Sequence, residues 1–295
     1  MENREKRNAR KVIWLTNKIV EIIFIVIVLI LIAFAIYSAW DTDNVTSEAS
    51  PKKYEIYKPY PEQMSFEKLR KINCDVFGWI TIYGTNIDYP LLQSDDNDKY
   101  ISTNPLGESA VSGSIFLDYR NSKNFSDFNS IIYGHHMIND VMFGDIEDFS
   151  TKKFFKTHKY GNIYYNGKNH GLQFFAFMEE DAYAYFIYTP GWEKEMKAKY
   201  LSKIKENAKY YRDIGIKTSD HIVLLSTCAS NETNGRYILV AKITKRIFND
   251  PFNETKTIGK SSNLSIKVCI ALFILLLILL QIVMRQRHLR IKNRK

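Results

Sequence analysis

Two long apolar stretches constrain this chain more than any other feature of its sequence. Residues 22–39 read IIFIVIVLILIAFAIYSA, and residues 268–284 read VCIALFILLLILLQIVM. About 20 apolar residues span the hydrocarbon core of a bilayer, and roughly 17 suffice. The alternatives are a signal peptide for the first stretch, which no small-residue cleavage site follows closely, and a buried core helix for the second. The sequence therefore predicts transmembrane helices at 19–40 and 266–284.

The excess of basic residues lies at the two ends of the chain. The formal net charge is +9, yet residues 41–263 carry 28 Lys and Arg against 29 Asp and Glu. A nucleic-acid-binding surface needs its basic residues on the folded domain, so the composition excludes nucleic acid as a partner. Basic clusters beside membrane spans favour the cytoplasmic side. We therefore expect a two-pass protein of the cell membrane, with cytoplasmic basic segments at 1–18 and 285–295 and the intervening domain outside the cell.

The cysteine content excludes a disulfide framework. The chain has three cysteines, Cys74, Cys228 and Cys269, and the last lies inside the second apolar stretch. Small exported domains that depend on disulfides carry more cysteines than this. Either Cys74 pairs with Cys228, or at least one of them is a free thiol kept for chemistry.

Short strand-like segments dominate the region between the two apolar stretches. We expect a polar, proline-containing linker or wrapping segment at 41–64, a folded domain at 65–248 and a second linker at 249–265. Eight segments of the folded domain are rich in β-branched or aromatic residues, and Gly, Asn or Asp separates many of them. The predicted strands are 77–83, 87–92, 113–118, 130–133, 162–165, 172–178, 221–227 and 236–243. This pattern predicts a mainly β fold, either a closed barrel or a sandwich.

Three helical segments accompany these strands. Residues 65–71 open with a serine that can cap a helix and precede the first strand. Residues 140–158 and 192–213 are helical insertions between strands, and the second contains Met196, Tyr200 and Ile204 on one side. We expect that side to pack on the strands.

Cys228 follows an apolar strand and is the first candidate for chemistry. A residue at the end of a buried strand is held rigidly and still reaches the rim of the sheet. A thiol needs a cationic or basic neighbour to act as a nucleophile. Arg236 begins the next predicted strand after a polar loop, so a hairpin would return its guanidinium to the rim beside Cys228. Without further partners, Cys228 would be interpreted as a small core residue.

His135 also follows an apolar strand, directly after Gly134, and its imidazole would face a rim. The adjacent His136 invites a metal-site interpretation. Neighbouring residues of an extended segment point to opposite sides, however, so the two cannot easily bind one ion. The remaining histidines show no ligand spacing and no Cys or acidic cluster completes a site, so we expect neither a metal nor a cofactor.

The motifs around these residues occur together and in a recognisable order. They are YPLLQ at 89–93, DNDKY at 96–100, GSIFLDYR at 113–120, YGHHM at 133–137 and LSTC at 225–228, followed by Arg236. This set resembles the sortases, the surface cysteine transpeptidases of Gram-positive bacteria, and is most similar to their class B branch. The resemblance runs from about residue 66 to 247.

The resemblance implies a closed eight-stranded sortase barrel and a two-step reaction. Cys228 would attack the carbonyl of a threonine in a C-terminal sorting motif and form a thioacyl enzyme, which an amine then resolves. His135 would be the general acid and base, and Arg236 would stabilise the substrate and the oxyanion. Substrate-binding residues carried over from the family are Asn97, Tyr133 and Ser226.

The second apolar stretch is typical of pilin-polymerising sortases, although residues 41–65 lack the Asp-Pro-aromatic lid of class C. We therefore expect the partners to be a pilin or surface protein with a sorting motif and an amine acceptor, which we expect to be a pilin lysine. The first alternative acceptor is a peptidoglycan precursor, which would make the protein a wall-anchoring sortase. A hydrolytic cysteine protease and a non-enzymatic membrane receptor or assembly scaffold are the further alternatives.

Overall fold

The computed structural model describes residues 2–59, 63–230, 233–252 and 273–274. An N-terminal compact unit ends at Asn44, and a second compact unit begins at Val45. The tail at 285–295, most of the linker at 249–265 and, apart from residues 273–274, the predicted span at 266–284 lie outside the described residues.

The N-terminal unit consists of the first part of a long helix, α1 (Glu2–Ala49). Its apolar stretch lacks Pro and Gly, and its large apolar side chains are exposed. Within the described part of the chain, α1 is the one helix long and apolar enough to cross a membrane by length and composition. The helix continues beyond the expected span at 19–40, because the polar residues that follow contain no helix breaker before Pro51.

The described residues of the second unit form three further α-helices and nine strands. The helices are α2 (Gln63–Ile72), α3 (Lys152–Thr157) and α4 (Lys194–Asn207). The strands are β1 (Val76–Ile82), β2 (Asp88–Leu92), β3 (Ile115–Leu117), β4 (Asn129–Tyr133), β5 (Tyr160–Tyr165), β6 (Lys168–Asp181), β7 (Ala208–Tyr211), β8 (Ile222–Cys228) and β9 (Gly235–Thr244). All eight predicted strands are present, with ends that differ by a few residues.

Eight of the strands close into a barrel. The order of pairing in the described sheet is β5-β1-β2-β3-β4-β8-β9-β6, and the pairing of β5 with β6 closes the ring. The expected closed eight-stranded barrel is therefore confirmed, and the sandwich alternative is excluded. β7 is an additional strand that pairs antiparallel with residues 176–178 of β6.

Two neighbouring pairings at β8 set the geometry of one barrel rim. β4 runs parallel to β8 and aligns Tyr133 with Ser226, so both strands end at the same edge. β8 and β9 form an antiparallel hairpin that aligns Cys228 with Arg236. Residues that follow β4, end β8 and begin β9 therefore meet at one rim.

Apolar residues cover both faces of β8. Leu225 belongs to the cluster that fills the barrel, whereas Leu224 belongs to a second cluster that includes Tyr200 and Ile204 of α4. Successive side chains of a strand point to opposite faces, which explains this division. Burying a leucine or isoleucine side chain contributes about 1.5–3 kcal/mol, so packing on both faces holds the end of β8 firmly. Tyr200 and Ile204 therefore pack on the strands, as expected.

The helices in the two predicted helical insertions are shorter than the sequence predicts. In place of one helix at 140–158, a 3-10 helix (Gly144–Ser150) precedes α3, because Thr151 between them has extended backbone angles. The helix predicted at 192–213 was too long: it ends at Asn207, and the residues after it form β7. The free edge of β6 offers backbone partners, and the β-favouring tyrosines of β7 pair with it.

The described residues that precede α2, from Ala49 onward, pack against the barrel and so form a wrapping segment. Ala49 and Tyr54 are buried, and the Tyr89 hydroxyl donates a hydrogen bond of 2.9 Å to the carbonyl oxygen of Ala49. The described part of the expected linker at 41–64 thus contributes apolar contacts to the second unit. The buried aromatic side chain of Tyr54 holds this segment in place.

Candidate active site

Cys228 and Arg236 lie directly opposite each other at the loop end of the β8–β9 hairpin. Their register pairs them, so both side chains project from the same face of the sheet. Cys228 is exposed, and Arg236 is half-buried with Nη1 donating a 3.0 Å hydrogen bond to the Gly235 carbonyl oxygen. The Ala229 amide also donates to that carbonyl, at 2.8 Å. The predicted hairpin is present, and it brings a thiol and a guanidinium to one rim.

His135 lies at the same rim because β4 and β8 are parallel. The Gly134 amide extends the pairing by donating a 3.2 Å hydrogen bond to the Ser226 carbonyl oxygen. A Cβ atom at Gly134 would come within 2.4 Å of Ile115 Cδ1 and 2.8 Å of the Phe143 ring, so any larger residue requires these side chains to shift. His135 Nε2 is 2.7 Å from the Ile101 carbonyl oxygen. A carbonyl oxygen only accepts, so Nε2 carries a proton in this contact and Nδ1 is the nitrogen free to exchange one.

His136 points to a different partner from His135. Its Nε2 lies 2.8 Å from Oε2 of Glu147, in the 3-10 helix that precedes α3. The other carboxylate oxygen of Glu147 accepts a 2.6 Å hydrogen bond from the Ser230 hydroxyl. Across the part of the chain that the structure describes, no group of three or more His, Cys, Asp or Glu side chains could hold a metal ion.

Asp118 connects two of the three predicted substrate-binding residues. Its Oδ2 accepts hydrogen bonds from Tyr133, at 3.0 Å, and from Asn97 Nδ2, at 3.2 Å. Arg120 donates to both oxygens of this carboxylate, at 2.8 and 2.7 Å. Asp118 is fully buried. Burial alone would raise the pKa of this carboxyl, but the hydrogen bonds and charge of Arg120 outweigh burial and lower it.

Tyr188 connects the third predicted residue, Ser226, to the same network. The Tyr188 and Ser226 hydroxyls lie 2.9 Å apart, and the Tyr188 ring stacks on Tyr133 at a centroid distance of 6.4 Å. Burial raises the pKa of Tyr188 to about 12, so its hydroxyl stays protonated and can donate a hydrogen bond. Ser226 lies two residues before Cys228 in β8, so this network reaches the rim near Cys228.

A cavity of about 290 Å³ opens beside Arg236. Three consecutive acidic residues at the end of β6 line it, and Glu180 is aligned with Arg236 across the strands. The full lining is Glu179, Glu180, Asp181, Ala229, Gly235, Arg236 and Tyr237. This wall of the rim therefore combines negative charge with the guanidinium.

Sequence reasoning missed the roles of Asp118, Arg120 and Tyr188. Asp118 and Arg120 lie in the GSIFLDYR motif at 113–120, and an acidic residue that ends an apolar strand beside an arginine could have indicated a buried ion pair. Tyr188 follows β6 in an irregular segment, and no local pattern distinguishes it from the other tyrosines there. Only the fold brings it to Ser226.

We expect Asp118→Asn to destabilise the protein by about 1–3 kcal/mol at neutral pH, because Arg120 loses its charged partner and Asp118 is buried. A carboxyl with a lowered pKa contributes stability above its unfolded pKa of about 3.9, and that contribution disappears as the pH falls through the folded pKa. The difference between wild type and variant should therefore shrink below about pH 4.

Urea denaturation of the full chain in detergent, followed by tryptophan fluorescence at several pH values, would measure this difference. Glu67→Gln is the matched control, because it removes one charge from the exposed Glu67–Arg70 pair. It should change the free energy of unfolding by less than about 0.5 kcal/mol. Equal effects of the two substitutions would contradict the structural role of Asp118.

Comparisons of the whole chain with known proteins find relatives of one type. No protein-family model matches the chain. The sortase B of Listeria monocytogenes is 38% identical over 180 residues, covering 60% of this chain and 73% of that protein. The sortase B of Staphylococcus aureus is 32% identical over 234 residues, covering 76% and 95%. A crystal structure of sortase B from the type II pilus of Streptococcus pneumoniae is 49% identical with a TM-score of 0.54, covering 61% of this chain and 99% of that chain.

Proposed function

The chain belongs to the sortase family and is a sortase-type transpeptidase, and we propose that it joins pilin subunits by using a pilin lysine as the amine acceptor. The meeting of Cys228, Arg236 and His135 at one rim carries the chemical part of this proposal. The similarity to a sortase B from a pneumococcal type II pilus supports the pilin part.

The reaction assigned to this rim has two steps. Cys228 Sγ attacks the carbonyl carbon of the sorting motif, the peptide C–N bond breaks, and the leaving amine takes a proton from His135. A thioester then links the substrate to Cys228. The acceptor amine gives a proton back to His135 and attacks the thioester carbon, which forms a new amide and releases the thiolate. Arg236 stabilises the oxyanion that forms in each step.

Asn97, Tyr133 and Ser226 form the binding surface for the sorting motif in this proposal. Their connection through Asp118 and Tyr188 supports it, because linked hydrogen bonds hold polar groups in one orientation before a substrate arrives. A pre-oriented surface costs less ordering entropy when a flexible peptide binds.

The membrane topology is also part of the proposal. Helix α1 anchors the chain, and the apolar stretch at 268–284 forms a second anchor, with both termini in the cytoplasm. Two anchors would hold the catalytic unit on the outer surface, close to exported pilins that are still attached to the membrane.

Deleting the gene in its source bacterium tests the pilin acceptor. We expect the high-mass pilin ladder on denaturing gels to disappear and monomeric pilin to accumulate, and a gene encoding the wild-type chain to restore the ladder. A gene encoding Cys228→Ala should not restore it. A ladder that persists in the deletion strain, with polymers released into the medium, would contradict polymerisation and favour attachment to a peptidoglycan precursor.

A further inference from the structure

The two residues assigned to proton transfer and nucleophilic attack both lie where regular structure ends. His135 follows β4 by two residues, and Cys228 is the last residue of β8. Sheet hydrogen bonds hold the strands themselves, but the segments just beyond them need other contacts. A displacement of about 1 Å between reacting groups can reduce a rate about 100-fold, so these contacts matter for catalysis.

Glu147 contacts both of these segments at once. Its Oε2 lies 2.8 Å from Nε2 of His136, the residue after His135, and its Oε1 accepts a 2.6 Å hydrogen bond from Ser230, two residues after Cys228. The hydrogen bond from Ser230 lowers the pKa of the Glu147 carboxyl, and His136 adds to this effect, so the carboxylate is charged at neutral pH. Each oxygen therefore serves one of the two segments.

The 3-10 helix that carries Glu147 is itself anchored to the barrel. Ile146 and Phe149 on either side of Glu147 are fully buried. The Phe143 amide donates a 2.9 Å hydrogen bond to the His135 carbonyl oxygen, just before the helix begins. Gly144 packs so closely on the Met137 carbonyl that a Cβ atom there would approach within 2.6 Å. Glu147 is therefore presented from a fixed backbone.

The contact with His136 also determines which way His135 faces. Neighbouring side chains of an extended segment point to opposite sides. Since Glu147 holds the His136 ring on its own side, the His135 ring is directed to the other side, where it meets the Ile101 carbonyl oxygen. The two histidines thus have different tasks.

We propose that Glu147 is a positioning residue, which joins the segment after His135 to the segment after Cys228 through His136 and Ser230 and so sets the spacing of the reacting groups. This inference rests on the roles proposed for His135 and Cys228. Glu147 touches neither group and takes no part in proton transfer.

Steady-state kinetics of the full chain in detergent test the proposal. The probe is a fluorogenic sorting peptide, selected from a panel as one that acylates wild-type Cys228. We expect Glu147→Ala to lower kcat about 10- to 100-fold with KM within about twofold of wild type. Glu147→Gln keeps an oxygen for Ser230 and a polar group for His136, so kcat should recover to within about threefold. Glu206→Ala, which removes an exposed carboxylate from α4, should match wild type.

Hydrogen exchange measured by mass spectrometry gives a readout that needs no peptide substrate. Glu147→Ala should speed exchange both in the peptide containing His136 and in the peptide containing Ser230. Ser230→Ala should speed it only in the second, and His136→Phe only in the first. If wild type turns over the probe and Glu147→Ala leaves kcat and both exchange rates unchanged, the proposal is overturned. If Cys228→Ala retains wild-type turnover, the proposed function fails instead.

Discussion

Cys228→Ala is expected to reduce turnover of a sorting peptide by about 10⁴-fold or more, because no other described side chain at this rim can form the thioester. Cys228 is exposed at the end of a strand buried on both faces, so the substitution should leave the fold intact. Mass spectrometry of the full chain, after incubation with candidate sorting peptides, would show an added acyl mass on wild type and none on the variant.

Cys74→Ala provides the matched control for this experiment. Cys74 is also an exposed free cysteine, but it lies between α2 and β1 and has no strand partner like Arg236. We expect this variant to form the acyl enzyme and to turn over substrate at the wild-type rate. An acyl adduct on Cys74, or full activity in the Cys228 variant, would contradict the assignment and favour the scaffold alternative.

Arg236→Ala is expected to lower kcat/KM about 100- to 1,000-fold, because the guanidinium opposite Cys228 stabilises the charge that develops on the substrate carbonyl. Arg236→Lys should recover only part of this loss, since an ammonium cannot reproduce the planar fork of a guanidinium. The measurement is cleavage of a fluorogenic sorting peptide, with hydroxylamine as the amine that resolves the thioester.

Arg246→Ala separates this effect from a general loss of positive charge. Arg246 is exposed and lies just beyond the opposite end of β9 from Arg236. It should leave kcat/KM within about twofold of wild type. Similar losses in the two arginine variants would indicate that overall charge, and not the position opposite Cys228, supports activity. Hydroxylamine should also raise wild-type turnover, whereas a simple protease would respond little.

Most of the barrel could be predicted because its strands carry strong local signals. The segment that became β8 is a run of apolar residues, and in the fold both of its faces are buried. The end of α4 shows the limit of such signals. The helix-favouring sequence continues toward Asp213, but the residues after Asn207 pair with the open edge of β6, and hydrogen bonding across a sheet outweighs a small helix preference.

The candidate site was predictable to different degrees. Cys228 and Arg236 lie close in sequence, and hairpin geometry relates them without knowledge of the rest of the fold. His135 could be predicted as a candidate because it follows a strand and because its motif resembles one in sortases. No local rule places it near β8. The parallel pairing of β4 and β8 provides that placement. Tyr188 and Glu147 had no sequence signal, because their partners are distant in the chain.

The sequence by itself determined the features that depend on neighbouring residues. These are an apolar N-terminal helix, a series of short strands, a thiol at the end of a buried strand and an arginine one loop later. Periodicity and propensity act over a few residues, so they are visible in one dimension. Only the tertiary structure decided which strand ends share a rim, how Asp118 joins Asn97 to Tyr133, and how Glu147 reaches His136 and Ser230 together. Those contacts depend on barrel closure, which brings together residues that the sequence keeps far apart.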